Sequence, residues 1–332
     1  MSRDPHGGFR PRPFSPAPWL PGPHLQTVGG KFLRPRPVLG LEPLRLDTPD
    51  RDFLDLEVGP DPDPRAPVVL ILHGLEGSTR RSYMRLAMAE LLRRGILAVG
   101  LNFRACSGIP NLQPRFYHSG ETRDLAHVVA YLRDRFPSRP LGAMGFSLGG
   151  NVLLKYLGER EGDTGLGAAA AISVPFDLSA GARVIEEGLM GRVYTTYFVR
   201  SLRRKLRSKE ALLQEVLDLK QAMAARTIRE YDEVATAPLH GFPGAEVYYR
   251  QSSSLFFLPR IRTPTLLLQS DDDPFLPPDS LPRGEVEKNP WLLDAFTGAG
   301  GHVGFVEGGS PLRPRFWAEE EAARYLAEAL RR

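Results

Sequence analysis

Apolar residues along this chain follow two rhythms that alternate over most of its length. Val68-Val69-Leu70-Ile71-Leu72, Ile96 to Phe103, Leu141 to Met144, Ala168 to Val174 and Thr265 to Gln269 are short, nearly unbroken apolar runs. Such runs mark strands covered on both faces in a parallel sheet. Between them, Tyr83 to Leu92, the set Leu125, Val128, Val129 and Leu132, and the set Val152, Leu153, Tyr156 and Leu157 recur at helical spacing. The alternation predicts an α/β fold: a mostly parallel central sheet with helices on both faces. Trp291 to Phe296 reads as the last strand. The amphipathic helix from about Arg315 to Leu330 follows, with Phe316, Ala323, Leu326 and Leu330 inward and Glu321, Arg324 and Glu328 toward water. Trp317 falls nearer the polar side and has no assigned role.

Three stretches break the rhythm. Residues 1–23 are rich in Pro, Gly and Arg and read as an extended or partly disordered arm that Phe14, Trp19 and Leu20 could anchor. Pro43 to Leu46 and Phe53 to Val58, with a turn at Asp47-Thr48-Pro49-Asp50, read as a hairpin. From Pro175 to about Ile261 helical segments (Arg183 to Glu187, Arg192 to Leu206, Glu210 to Leu219, Ile228 to Ala235) replace the alternation. We read residues 24–332 as one domain carrying a helical cap insertion over about 175–261, with Tyr194, Tyr197, Phe198, Tyr248 and Tyr249 as pocket or cap-core residues. The helix after Tyr117 is expected to start on a Ser119 cap, with Glu121 in its first turn.

With 332 residues and 42% hydrophobic content, the chain can bury a sizeable core. Its net charge of +4 is modest, and its basic residues are interspersed with acids, which does not argue for nucleic acid. The cluster Arg200, Arg203, Arg204, Lys205, Arg207 and Lys209 reads first as a solvated helix face and second as a transient contact for anionic lipid headgroups. The single cysteine, Cys106, excludes an internal disulfide and a Cys-based metal cluster, and reads as a packed residue. No apolar run reaches about 18 residues, and prolines interrupt the N-terminus where a signal peptide needs an apolar stretch, so the expected location is cytoplasmic.

The chemistry centres on Gly145-Phe146-Ser147-Leu148-Gly149, set between a strand and a helix. This is the pattern of a nucleophile elbow, in which a strained turn exposes a serine and side-chain-free neighbours let strand and helix approach. Serine needs a base to take its proton and a carboxylate to orient that base. His302, in the Gly-rich loop after the last strand, and an acid from Asp271, Asp272 and Asp273 follow Ser147 in the chain order of this fold. Asp273, next to Pro274, is the first choice and Asp272 the second. His73-Gly74-Leu75-Glu76-Gly77 follows the first buried run, and the backbone N–H groups of Leu75 and Leu148 are the candidate oxyanion donors. His73 reads as a brace for that loop, and Arg104 either holds its own loop or faces an anionic part of a substrate.

Pro23-His24-Leu25-Gln26-Thr27, His73 to Gly77, Asn102-Phe103-Arg104 with Ser107-Gly108, Tyr117 to Gly120, Gly145 to Asn151, Asp272 to Phe275 and Gly301 to Phe305 together resemble the YheT-like α/β-hydrolases, which include ABHD-type lipid hydrolases. The resemblance implies carboxylic ester hydrolysis on short-chain or lipid esters, without metal or cofactor. In some relatives an alcohol takes the acyl group instead. Ala105 stands where a glycine is expected, a departure expected to narrow the pocket while leaving the three candidate residues in place. A non-catalytic binding protein on this scaffold is the reading from a different class.

Overall fold

The computed structural model describes residues Asp4 to Arg332. Eight strands form one sheet: β1 (Glu42–Asp47), β2 (Phe53–Val58), β3 (Val68–Leu72), β4 (Leu97–Asn102), β5 (Leu141–Phe146), β6 (Ala168–Ile172), β7 (Thr265–Ser270) and β8 (Leu292–Thr297). Their order is β1-β2-β4-β3-β5-β6-β7-β8. The β1–β2 and β2–β4 pairs are antiparallel, and all pairs from β4 through β3 to β8 are parallel. Period-two alternation sends Val68, Leu70 and Leu72 to one face and Val69 and Ile71 to the other. Helices α3 (Thr122–Arg135) and α4 (Leu148–Arg160) pack on the first face, α2 (Ser82–Arg93) and the C-terminal helix Trp317–Ala329 on the second.

Between β6 and β7 the chain leaves the sheet as α5 (Leu178–Val184), α6 (Gly188–Ser208), α7 (Glu210–Leu213), α8 (Leu219–Ala224), α9 (Ile228–Tyr231), a π-helical turn over Asp232–Thr236, α10 (Ala237–Leu239), α11 (Ala245–Ser252) and a 3-10 segment, Ser254–Arg260. Two apolar clusters hold this insertion, one around Phe116, Leu206, Leu213 and Tyr231, the other around Leu178, Ala182, Tyr248 and Tyr249. Asn151 of α4 ties it to the sheet layer. Its amide donates to Ser119 O at 2.7 Å and Ser252 O at 2.8 Å and accepts from Ser254 N at 2.9 Å. Ser119 does not cap α3. Glu121 does, its carboxylate accepting from Arg123 N, while the Ser119 N–H is held by Tyr248 Oη at 2.9 Å.

Phe14, Trp19 and Leu20 of the arm all contact the body, Trp19 Nε1 donating to Gly308 O at 2.8 Å. Phe9 and Phe14 pack on the C-terminal helix, against Tyr325 and Trp317 at 5.0 and 5.5 Å between centroids, while Ala17 and Leu20 are buried against Leu86, Val306 and Phe316. Met1 to Arg3 lie outside the described residues. Pro23–Leu33 is a helix, α1, opened by a proline whose missing N–H costs nothing at that position. The Gly29-Gly30 pair hides its apolar rhythm. Gly30 is needed because a Cβ there would lie 2.8 Å from the Gly304 Cα, so helix and loop meet backbone to backbone. The arm also turns Glu321 inward: Arg12 donates to it from N and Nε at 2.9 and 2.7 Å, and the carboxylate is buried, not facing water. α12 (Arg283–Lys288) precedes β8, a two-strand ladder of β9 (Val306–Glu307) and β10 (Arg315–Phe316) follows it, and the C-terminal helix is α13. Among the described residues no helix is long and apolar enough to cross a membrane.

Candidate active site

Ser147 sits at the tip of the turn from β5 to α4 with φ 51° and ψ −121°. That conformation is costly for a residue with a Cβ and persists because its surroundings over-determine it. Ser147 N donates to Ile172 O at 2.8 Å, and glycine is required on both sides. A Cβ on Gly145 would lie 2.6 Å from Gly149 O, and one on Gly149 would lie 2.6 Å from Leu72 O. The glycine spacing legible in the sequence is therefore a packing requirement between β3, β5 and α4.

From the loop after β8, His302 brings Nε2 to 2.9 Å from Ser147 Oγ. Its Nδ1 faces Asp273 Oδ2 at 2.8 Å and Oδ1 at 3.1 Å. Phe275 stacks on the imidazole with ring centroids 4.1 Å apart. The loop itself is held from outside the sheet. Thr27 Oγ1 of α1 accepts from His302 N at 2.9 Å, and Ser173 Oγ accepts from Val303 N at 2.9 Å. Arg34 donates to Val303 O and Gly304 O while its Nε lies 2.7 Å from Glu319 of α13. Burial pushes the Glu319 carboxyl up to about 7, with the Arg34 guanidinium opposing it. Sequence reasoning gave Thr27, Ser173, Phe275 and Arg34 no role at this site. The Pro23 to Thr27 and Asp272 to Phe275 motifs were the signals that could have found two of them, Thr27 and Phe275.

The three adjacent aspartates separate cleanly. Asp273 is buried and also accepts from Gln269 Nε2 and Phe275 N, both at 2.9 Å. Asp272 accepts from Gly301 N at 2.8 Å and so fixes the loop beside His302, and Asp271 pairs with Arg283 at the surface.

Opposite Ser147 lies the loop after β3. A Cβ on Gly74 would approach the Ser147 Cβ to 3.1 Å, so this loop also comes in backbone first. Neither the N–H of Leu75 nor that of Leu148, the first residue of α4, meets an acceptor among the described residues. His73 braces the loop: Nδ1 donates to Gly74 O at 2.8 Å and Nε2 accepts from Phe103 N at 3.2 Å. Complete burial drives it down to about 3 and keeps the ring neutral.

Glu76 continues the loop in the left-handed region, φ 54°, and meets the insertion. Its carboxylate accepts from Ser201 Oγ at 2.6 Å and Tyr117 Oη at 3.0 Å and pairs with Lys205 Nζ at 2.7 Å. The same ammonium donates to Cys106 Sγ at 2.8 Å, and burial pushes that thiol up, which suits a packed cysteine. Arg104 holds its own loop through Asp50, Asp52 and Asp124 and is buried.

Two cavities meet at Ser147, Leu75, Phe198, Phe275 and His302. One, of about 130 Å³, runs beneath the insertion between Leu148, Leu178, Ala182, Ile185 and Tyr249. The other, of about 400 Å³, runs between α1 and α6 past Val28, Phe32, Tyr83 and Tyr194. Asp232 lies in the wall of the smaller cavity, its carboxylate accepting from Thr236 Oγ1 at 2.6 Å and Tyr249 Oη at 2.8 Å. Burial pushes it up to about 6 against those two hydroxyls.

His118, Glu121 and His240 bring ligand-type atoms within 4.8 Å of one another. A cation does not fit them. Gly120 N donates to His118 Nδ1 at 3.1 Å, which places the ring proton on Nε2, the atom facing Glu121 at 3.6 Å. Arg115 and Arg123 already pair with that carboxylate. Metal-bound imidazole normally donates from its other nitrogen, and here that nitrogen accepts.

The model of the alpha/beta hydrolase fold family matches residues 67–308. The chain is 37% identical over 311 residues to a protein of Escherichia coli that carries the name esterase YheT, covering 92% of this chain and 91% of that protein. It is 36% identical over 271 residues to a monoacylglycerol lipase of Saccharomyces cerevisiae, covering 80% of this chain and 60% of the lipase. Among solved structures, a Pyrococcus furiosus esterase superposes with a TM-score of 0.57 at 18% identity, covering 97% of this chain and 98% of that one, a likeness of fold.

Proposed function

The chain belongs to the α/β-hydrolase fold family and, within it, to the YheT-like group, and from that premise we propose a serine hydrolase that cleaves carboxylic esters through an acyl-enzyme on Ser147. As Ser147 Oγ bonds to the acyl carbon, its proton passes to His302 Nε2, and Asp273 keeps the Nδ1 proton in place and steadies the imidazolium. The carbonyl oxygen becomes an oxyanion between the N–H groups of Leu75 and Leu148, with the positive end of α4 behind them. Collapse expels the alcohol, which takes the proton from Nε2. Water then gives a proton to Nε2 as its oxygen bonds to the acyl carbon, and release of the acid returns the proton to Ser147.

The observation that carries this reading is the unbroken hydrogen-bond path from Ser147 Oγ through His302 to buried Asp273, at the point where two cavities meet. The smaller cavity suits the acyl chain. A 150 Å³ apolar cavity takes benzene, so about 130 Å³ takes an acyl group of about six carbons. The larger cavity suits the alcohol. A series of p-nitrophenyl esters of increasing chain length, run beside Ser147→Ala and fluorophosphonate labelling, tests it. Ser147→Ala is expected to lose on the order of a million-fold in turnover. A wild-type protein that neither labels nor hydrolyses any ester would favour a binding role. Acyl transfer uses the same groups, and the product ratio with and without added alcohol separates it from hydrolysis.

A further inference from the structure

The basic cluster of α6 divides in two. Lys205 turns inward to Glu76 and Cys106, Lys209 donates to the carbonyls of Gln113 and Arg115, and Arg203 donates to the carbonyls of Ala224 and Ala225. Arg200 and Arg204 instead line a surface groove with Arg81, Arg192, Leu189 and Tyr197. Leu189, Arg192, Val193, Thr196, Tyr197, Arg200 and Arg204 follow helical spacing along one side of α6, and Thr195, Val199 and Leu206 are buried on the other. The outward side thus interleaves arginines with apolar residues: Leu189 is 79% exposed and Val193 53%.

α1 extends this surface. Lys31 Nζ sits 4.3 Å from the centre of the Tyr197 ring, and His24 Nδ1 lies 3.2 Å from Tyr194 Oη. Leu25 and Phe32, seven positions apart and so on one side of α1, are 50% and 76% exposed. Among the described residues none of Lys31, Arg36, Arg81, Arg192, Arg200 and Arg204 pairs with a carboxylate, and the only acid lining either opening is Glu76, already held by Lys205. The larger cavity that reaches Ser147 opens between these two helices.

We propose that the outer face of α1 and α6 is a docking surface for an anionic lipid bilayer, which presents ester substrates to the mouth of the larger cavity. Cations of this density find their complement in anionic headgroups, and the interleaved Leu25, Phe32, Leu189 and Val193 can enter the acyl boundary. A purely solvated face would have no use for large apolar residues between its arginines, and a polyanion such as nucleic acid would not reward them. The proposal rests on the esterase reading only for what the surface serves.

The test is co-sedimentation of the full chain with vesicles of phosphatidylcholine alone and of phosphatidylcholine with about one-third phosphatidylglycerol. Binding is expected to the anionic vesicles only, falling as salt rises. Arg200→Gln with Arg204→Gln should weaken it about 25-fold, roughly fivefold for each cation, and Leu189→Ser should weaken it further. All three substitutions lie outside the cavities at Ser147, so hydrolysis of a water-soluble short-chain p-nitrophenyl ester should be unchanged. Equal binding to both vesicle types, no binding at low salt, or an Arg200→Gln/Arg204→Gln protein that binds like the wild type overturns the proposal. So does a Leu189→Ser protein with undiminished binding, which would mark a general polyanion surface. Loss of soluble-ester hydrolysis in the wild type would strike the esterase reading instead.

Discussion

Thr27→Val asks whether a helix outside the sheet belongs to the reacting geometry. Thr27 Oγ1 accepts the His302 N–H at 2.9 Å and donates to Pro23 O at 2.7 Å. Valine keeps the shape and removes both bonds, leaving the backbone N–H of His302 facing a methyl group. An orphaned N–H costs about 1–3 kcal/mol when buried, and this half-buried position belongs at the lower end, about 1–2 kcal/mol. The loop can recover that loss by moving the N–H toward water, and the imidazole then moves with it, away from Ser147. Charged against the reacting arrangement, such a cost lowers kcat about 5- to 30-fold. The assay is kcat and KM on a short p-nitrophenyl ester, with the rate of fluorophosphonate labelling and a thermal melt alongside. Thr27→Ser, which keeps the hydroxyl, should restore kcat and labelling. A Thr27→Val enzyme with kcat within about twofold of wild type, or a Thr27→Ser enzyme as slow as Thr27→Val, would refute the argument.

Asp273→Asn should lower kcat on the order of ten-thousand-fold, because an amide favours the wrong imidazole tautomer, whereas Asp272→Asn keeps an acceptor for Gly301 N and should stay within about tenfold; kcat of the two variants, measured side by side, decides between the acids. Asp232 ordinarily titrates near 3.8 and is held up to about 6 in the fold, so between those values the native chain binds the extra proton and stability falls as pH rises. Urea unfolding of wild type and Asp232→Asn from acid to neutral pH should show a difference that grows to about 3 kcal/mol across that window and is flat above it, and a constant difference would count against the burial argument. Ala182→Phe, which fills the cavity beneath the insertion, should move the preferred acyl chain to shorter esters, and an unmoved chain-length profile would send the acyl group to the other cavity.

How much of this was legible in the chain depended on the distance over which each feature is decided. Strands β3 and β6 and helices α2 and α4 follow from residues a few positions apart, because alternation and helical spacing are set by neighbours along the backbone. The turn at Ser147 was legible for the same reason. α1 was not, since Gly29 and Gly30 erase its rhythm and the reason for Gly30 is Gly304, far along the chain. The helical spacing of α13 set Glu321 toward water, and only the arm lying across it, with Arg12 in place, turns that position inward. In the Asp271 to Asp273 trio one step along the loop changes the partner from Arg283 to Gly301 to His302; the neighbouring Pro274 ranked Asp273 first, and only the packed loop brings that carboxylate to the imidazole.

Sequence alone determined the rhythm of strands and helices, the strained turn that needs glycine on both sides of Ser147, and a short set of candidate partners for it. Tertiary structure decided which aspartate meets His302, that α1 and Arg34 hold its loop, and which arginines of α6 stay at the surface. The division is physical: periodicity and turn chemistry act within a few residues, while a hydrogen bond between groups on different elements, such as Asp273 with His302 or Thr27 with His302, exists only once the packed layers bring them together.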